Sequence, residues 1–285
     1  MRRYERQTID EGRDTKMIQV HPSAVVHKGT QLADGVTIGP NCVIDRRVSI
    51  GAGTVLDANV VISKDVKVGK NNHFSANCVI GGRPQKLGLG PDTEIGGLVI
   101  GDNSTFREQV TIHRSLYQGR FTKVGNDNLL MVGAHIGHDC TVEDKIVMSN
   151  CVHIGGHCKI ETGAWFSGMV ALHQFVTIGK WSFAAGLAGI NHDVVPFMVV
   201  SGHNPSMARG VNKRGLVRAG FSEQQQEKIF EAYKKLYRQG GTLLENAKAL
   251  AQEDGLDENV QAMIDAITKS SEHQFGRYLE KFRRD

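Results

Sequence analysis

The chain has 285 residues, 22 % of them charged and 40 % hydrophobic, with a formal net charge of +4. So mild a basic excess excludes any case for a nucleic-acid partner on charge alone, and no stretch is long and apolar enough for a membrane-spanning helix. Five cysteines, odd in number and without a CxxC pair, speak against a disulfide framework and fit a reducing, cytoplasmic compartment.

Residues 1–17 mix charges of both signs without an apolar stretch. They do not read as a signal peptide, and the Arg2–Arg3 pair does not read as an export signal; a flexible extension is expected. From Val20 onward an apolar residue returns at every sixth position. One register runs Val20, Val26, Leu32, Ile38, Ile44, Ile50, Leu56, Ile62, Val68, Phe74 and Ile80. A second runs Ile100, Phe106, Ile112 and then Val124 through Ile190, broken only by Gln118. Neither a helical period nor simple alternation gives this pattern. A coil with one short strand and one turn per hexapeptide does. Three hexads close a triangular turn, so residues eighteen apart stack at about 4.8 Å, the ordinary strand spacing. The expected architecture is mainly β, a parallel β-helix over 18–200.

Two excursions interrupt it. Across 82–97 the phase slips by two residues; across 115–123 the phase holds but the pattern is lost. Gly81-Gly82 and Gly96-Gly97 read as hinges of the first loop, since neither pair precedes a helix as a phosphate loop requires. Cys42, Cys78, Cys140 and Cys158 occupy the slot four places after the apolar residue, where Ala24, Val36 and Val48 also lie, and are expected as packed thiols. After Pro196 the hexads stop. The stretch 194–221 reads as a linker carrying Arg209, Lys213, Arg214 and Arg218 and no acidic residue. Ser222-x-x-Gln225 and Thr242-x-x-Glu245 read as capping boxes, and Asp257 as the start of a third helix. Residues 201–285 are therefore expected as linker plus a small α-helical domain.

The chemistry gathers where histidines do: His135, His138, His153, His157 and His173. The eighteen-residue repeat puts Gly137, Gly155 and His173 in one column, His138, Gly156 and Gln174 in the next, and Asp139, His157 and Phe175 in the third. Imidazoles, a carboxylate, an amide and glycine N–H groups are the parts needed to take a proton from a hydroxyl and stabilise an oxyanion. A plainer reading and a sharper rival stand beside this one: corner histidines bonded to backbone, and a metal-binding hydratase built on the same hexapeptide coil. No defined ligand motif supports the second, and no metal is assigned.

The run Asn128-Leu-Leu-Met-Val-Gly-Ala-His-Ile-Gly-His-Asp-Cys140, with Thr111-Ile-His-Arg114 before it and His173-Gln-Phe175 after it, resembles the UDP-N-acetylglucosamine O-acyltransferases that begin lipid A synthesis. The likeness covers about residues 18–240 and includes Asp193-Val-Val-Pro196, Gly210-Val-Asn212 and Ala232-Tyr-Lys-Lys-Leu-Tyr-Arg238. It implies a left-handed coil, an exception to the usual right-handed crossover. It also implies a cytoplasmic homotrimer with active sites between subunits, and a helical domain that helps bind acyl carrier protein. The implied reaction moves a (3-hydroxy)acyl chain from the carrier to the 3-hydroxyl of UDP-N-acetylglucosamine, with no cofactor. By motif, His138 would be the general base, Asp139 its orienting partner and the Gly156 N–H the oxyanion donor. His113, His135, His157, His173 and Gln174 would line the substrates, Asn212 and Arg218 would contact the nucleotide, Lys86 would lie by the sugar, and Gly186 would set acyl length. Lys86 and Gly88 stand where the family usually has an Asp and a Lys. Arg214 replaces its Glu, and Ala219 the second residue of an arginine pair. These departures point to a different nucleotide sugar, or a sugar amine, as the alternative acceptor.

Overall fold

Each hexapeptide forms a two-residue strand and a turn, so each side of a coil sends one strand residue outward and one inward. This is why the apolar period is six rather than two. The structure, a computed structural model, describes residues 17–283; residues 1–16 of the expected extension lie outside the described residues. The chain divides into two compact units, one ending at Cys140 and the other beginning at Thr141. Both are built on left-handed parallel β-helix coils.

In the first unit, Gln19–Val20, Val25–Val26 and Gln31–Leu32 form three sides of a coil. Each pairs in parallel with the strand eighteen residues on: Gln19 opposite Thr37, Val25 opposite Val43, Gln31 opposite Ser49. The inward residues Ile38, Ile44, Ile50, Leu56 and Ile62 are buried, as are Val36, Cys42, Val48, Thr54 and Val60 of the second inward slot. Phe74 and Phe106 stack inside the coil with centroids 4.6 Å apart. All five cysteines are free. The four in the inward slot are buried, and burial pushes the Cys78 thiol up to about 12; Cys151 is exposed.

The pairing registers explain both irregularities. Across the first excursion partners are thirty-two residues apart (His73 opposite Thr105), so fourteen residues are inserted, two more than two whole hexads. Across the second they are twenty-four apart (Thr105 opposite Leu129), an insertion of one whole hexad that leaves the phase untouched. The first loop leaves after Val79–Gly82 and returns at Gly97–Ile100. Gly96 permits that return because a Cβ there would lie 2.2 Å from the Arg120 carbonyl oxygen. The second loop ends at Arg120, since Phe121–Val124 is already a strand paired with Gly97–Ile100.

In the second unit the eighteen-residue pairing continues through Thr141 opposite Lys159, Val147 opposite Trp165 and His153 opposite Ala171. The segment expected as a linker is ordered instead. Met198–Ser201 pairs in parallel with Phe183–Ala184 and antiparallel with Met207–Val211, and α1 (Lys213–Arg218) follows. Met198 and Val200 alternate inward over one four-residue strand, too short a pattern to read as a hexad. α2 (Glu223–Tyr237) and α3 (Leu243–Leu250) carry the two expected capping boxes, and Asp257 caps α4 (Glu258–Ser271). Ile229, Tyr233 and Leu236 of α2 pack inward with Val260, Met263, Ile264 and Ile267 of α4. Beyond α4 the chain turns at Gly276 and forms a short 3-10 turn, Tyr278–Phe282. Among the described residues no helix is long and apolar enough to cross a membrane.

Candidate active site

His138 and Asp139 follow the strand His135–Ile136, at a corner where Asp139 has φ +61°. That corner turns both side chains towards the second excursion. The Asp139 carboxylate accepts from the Ser115 hydroxyl at 2.5 Å, from the Leu116 N–H at 3.0 Å and from His138 Nδ1 at 2.8 Å. The Asp139 N–H donates to Thr122 Oγ1 at 2.8 Å. Both side chains are mostly buried, with 12 % and 9 % of their surface exposed. An ionised carboxylate only accepts, so Nδ1 carries the imidazole proton and Nε2 carries the lone pair. The arrangement is a base whose tautomer is fixed by its neighbour. Ser115, Leu116 and Thr122 complete it; sequence reasoning missed all three. The whole-hexad insertion was the available signal, because a loop that keeps phase must fold back to the coil it left.

His113 and His135 lie edge to face with centroids 4.7 Å apart, and His135 Nδ1 is 2.8 Å from Thr111 Oγ1. Burial, with the charge of His138 adding to it, pushes the His113 imidazole below the ordinary histidine range.

The remaining predicted histidines lie in the second unit. His157 sits at a corner with φ +63°, and its ring stacks flat on Phe175, eighteen residues on, at 4.5 Å and 1°. Gly156 is buried, its carbonyl accepting from the Phe175 N–H at 3.0 Å. A Cβ at Gly155 would lie 2.9 Å from the Gln174 backbone nitrogen, so the coil admits no side chain there. His173 and Gln174 are exposed, the imidazole Nδ1 3.0 Å from the Gln174 carbonyl oxygen. The structure therefore brings Gly155, Gly156, His157, His173 and Gln174 together as a strip.

The other four predicted residues have their own local surroundings. Lys86 is exposed in the first excursion beside Leu87, whose side chain is fully exposed. Asn212 is buried as the N-cap of α1: its Oδ1 accepts from the Gly215 N–H and its Nδ2 donates to the Trp181 carbonyl. Its amide shapes the helix start. Arg218 rests 4.6 Å from the Trp165 ring centroid. Gly186 is exposed, and a Cβ built there meets Ser167 and Gly168 at an ordinary 3.5 Å.

Comparison with known proteins gives a consistent family. Residues 193–275 match the model for domain 2 of UDP-N-acetylglucosamine O-acyltransferase, and residues 47–82 match the bacterial transferase hexapeptide repeat. The acyl-[acyl-carrier-protein]--UDP-N-acetylglucosamine O-acyltransferase of Halorhodospira halophila is 41 % identical over 89 % of this chain and 98 % of its own length. The enzyme of that name from Gloeothece citriformis is 40 % identical over 60 % of this chain, a match that spans 62 % of the relative. The solved Francisella novicida UDP-N-acetylglucosamine acyltransferase superposes with a TM-score of 0.83 at 37 % identity, over 88 % of this chain and 91 % of that one. With a near full-length relative at this identity, the chain belongs to the UDP-N-acetylglucosamine O-acyltransferase family.

Proposed function

We propose that the protein transfers a (3-hydroxy)acyl chain from acyl carrier protein to the 3-hydroxyl of UDP-N-acetylglucosamine. The observation that carries this is the His138–Asp139 pair, whose hydrogen bond leaves the Nε2 lone pair as the base. His138 Nε2 takes the hydroxyl proton as the oxygen attacks the thioester carbonyl. The ester C–O bond forms, the C–S bond breaks, and His138 returns the proton to the departing thiolate. Asp139 stays ionised and stabilises the imidazolium, held by Ser115 and Leu116. The resemblance assigns the Gly156 N–H to the oxyanion, and His157, His173 and Gln174 to the substrates. No metal or redox group enters this chemistry.

The protein acts as a cytoplasmic homotrimer in this reading. Val25, Val43 and Val79, exposed on one strand face of the first unit, form an aliphatic ladder suited to self-association, and the free thiols suit a reducing compartment. Arg209, with Lys213, Arg214 and Arg218 of α1, offers a basic surface to an acidic carrier protein. Lys86, Gly88, Arg214 and Ala219 favour a second reading, in which the acceptor is another nucleotide sugar or a sugar amine.

One experiment separates these. A panel of UDP-sugars is offered with several acyl carrier thioesters, and the products are identified by mass and by hydrolysis under base. An ester of UDP-N-acetylglucosamine supports the first reading, and an amide or another sugar the second. Transfer that disappears with a chelator and returns with zinc overturns the metal-free mechanism.

A further inference from the structure

The C-terminal segment after α4 is pinned across the end of the second unit. Gly276 O accepts from the Asp193 N–H at 2.7 Å and from Ser270 Oγ at 3.0 Å, and the Tyr278 N–H donates to Asp193 Oδ2 at 2.9 Å. Arg277, buried, donates to the Asn191 carbonyl at 2.7 Å and to Glu280. This strap ends on the histidine strip. Arg283 lies 5.0 Å from the centroid of Phe175, the ring on which His157 stacks, and pairs with Glu280 at 2.8 Å.

Exposure sets this arginine apart. Glu280 is shared between Arg277 and Arg283, Arg277 also interacts with the Asp193 carboxylate, and Lys281 is paired with Glu272. The Arg277 and Glu280 side chains are each 9 % exposed, whereas that of Arg283 is 43 % exposed. With one N–H group on Glu280 and its face on the ring, the guanidinium has further N–H groups that can donate to an oxyanion such as a phosphoryl group.

We propose that Arg283 is a substrate-binding residue that holds a phosphoryl group beside the His157–Phe175 stack. This rests on the acyl-transfer reading, in which two substrates bring such a group: the diphosphate of the UDP-sugar and the phosphate of the carrier's pantetheine arm. The test compares wild type, Arg283→Ala and Arg283→Lys by titration calorimetry with UDP-N-acetylglucosamine, acyl-4′-phosphopantetheine and its dephosphorylated counterpart. Arg283→Ala should bind one phosphorylated ligand about 10- to 100-fold more weakly, with Arg283→Lys recovering part of that loss. The dephosphorylated ligand should bind all three proteins alike.

A loss confined to the UDP-sugar assigns the diphosphate; a loss confined to phosphopantetheine assigns the carrier arm. Unchanged affinity for both phosphorylated ligands overturns the proposal. So does an equal loss for the dephosphorylated ligand, which would mean that the strap itself had shifted. Wild type that binds these ligands yet transfers no acyl group refutes the acyl-transfer reading while the Arg283 comparison still stands. Wild type that binds none of them sinks both.

Discussion

Asp139 in the first unit and His157 in the second occupy the same kind of left-handed corner, with φ near +60° in each. They are held in opposite ways. The carboxylate is gripped by directional bonds from Ser115, Leu116 and His138, whereas His157 lies flat against Phe175. Directional bonds fix where a proton sits, which a base requires. The stack on Phe175 sets the plane of the His157 ring, which suits recognition of a ligand beside it. In the proposed mechanism this contrast would divide the chemistry from the binding within one repeated scaffold.

The most severe way to test that division is His138→Ala, which should lower kcat by about 10²–10⁴ while circular dichroism and melting temperature stay near wild type. Retention of most activity would remove the base. Asp139→Asn should follow at about 10² or more, because an amide can present a donor to Nδ1 and spoil the tautomer. Ser115→Ala removes one bond to the carboxylate and should cost about tenfold in kcat with KM unchanged. On the binding side Phe175→Ala should do the reverse, raising KM about fivefold through the lost ring contact while kcat holds. Should Phe175→Ala instead cut kcat as Ser115→Ala does, the division between the two regions is lost.

The smallest effect is on stability. His113 is pushed below its ordinary value in the folded chain, by burial first. Above the unfolded-chain value of about 6.5 both states are neutral and stability is full; as pH falls below it, the unfolded state binds the proton first and stability is lost until the lowered folded value is passed. Between pH 7 and 5 the denaturant midpoint of wild type should drop relative to that of His113→Gln, whatever the slope the two share from groups such as Asp193, whose burial raises its folded value to about 6.

Much of this was legible in the sequence because a coil repeats one physical rule. One inward aliphatic per side gives the period of six, and stacking gives the period of eighteen that sets His157 over Phe175. Ser222 and Thr242 announced their helices because a capping box satisfies two orphan N–H groups at a fixed spacing. The rest lay outside any repeat. Ser115 reaches Asp139 from twenty-four residues away through a loop with no pattern, and Arg283 reaches Phe175 from more than one hundred. α1 was hidden because it spans only six residues, with a glycine in its middle.

The left-handed corners carry a further consequence for engineering. Asp139, His157 and Phe175 each hold a backbone geometry that suits glycine and strains other residues, by about 1 kcal/mol or more. A library selected for heat resistance alone would therefore drift towards glycine at the three corners to which the proposed mechanism assigns proton transfer and ligand recognition. Its hardiest members would be well-formed coils with nothing left to catalyse.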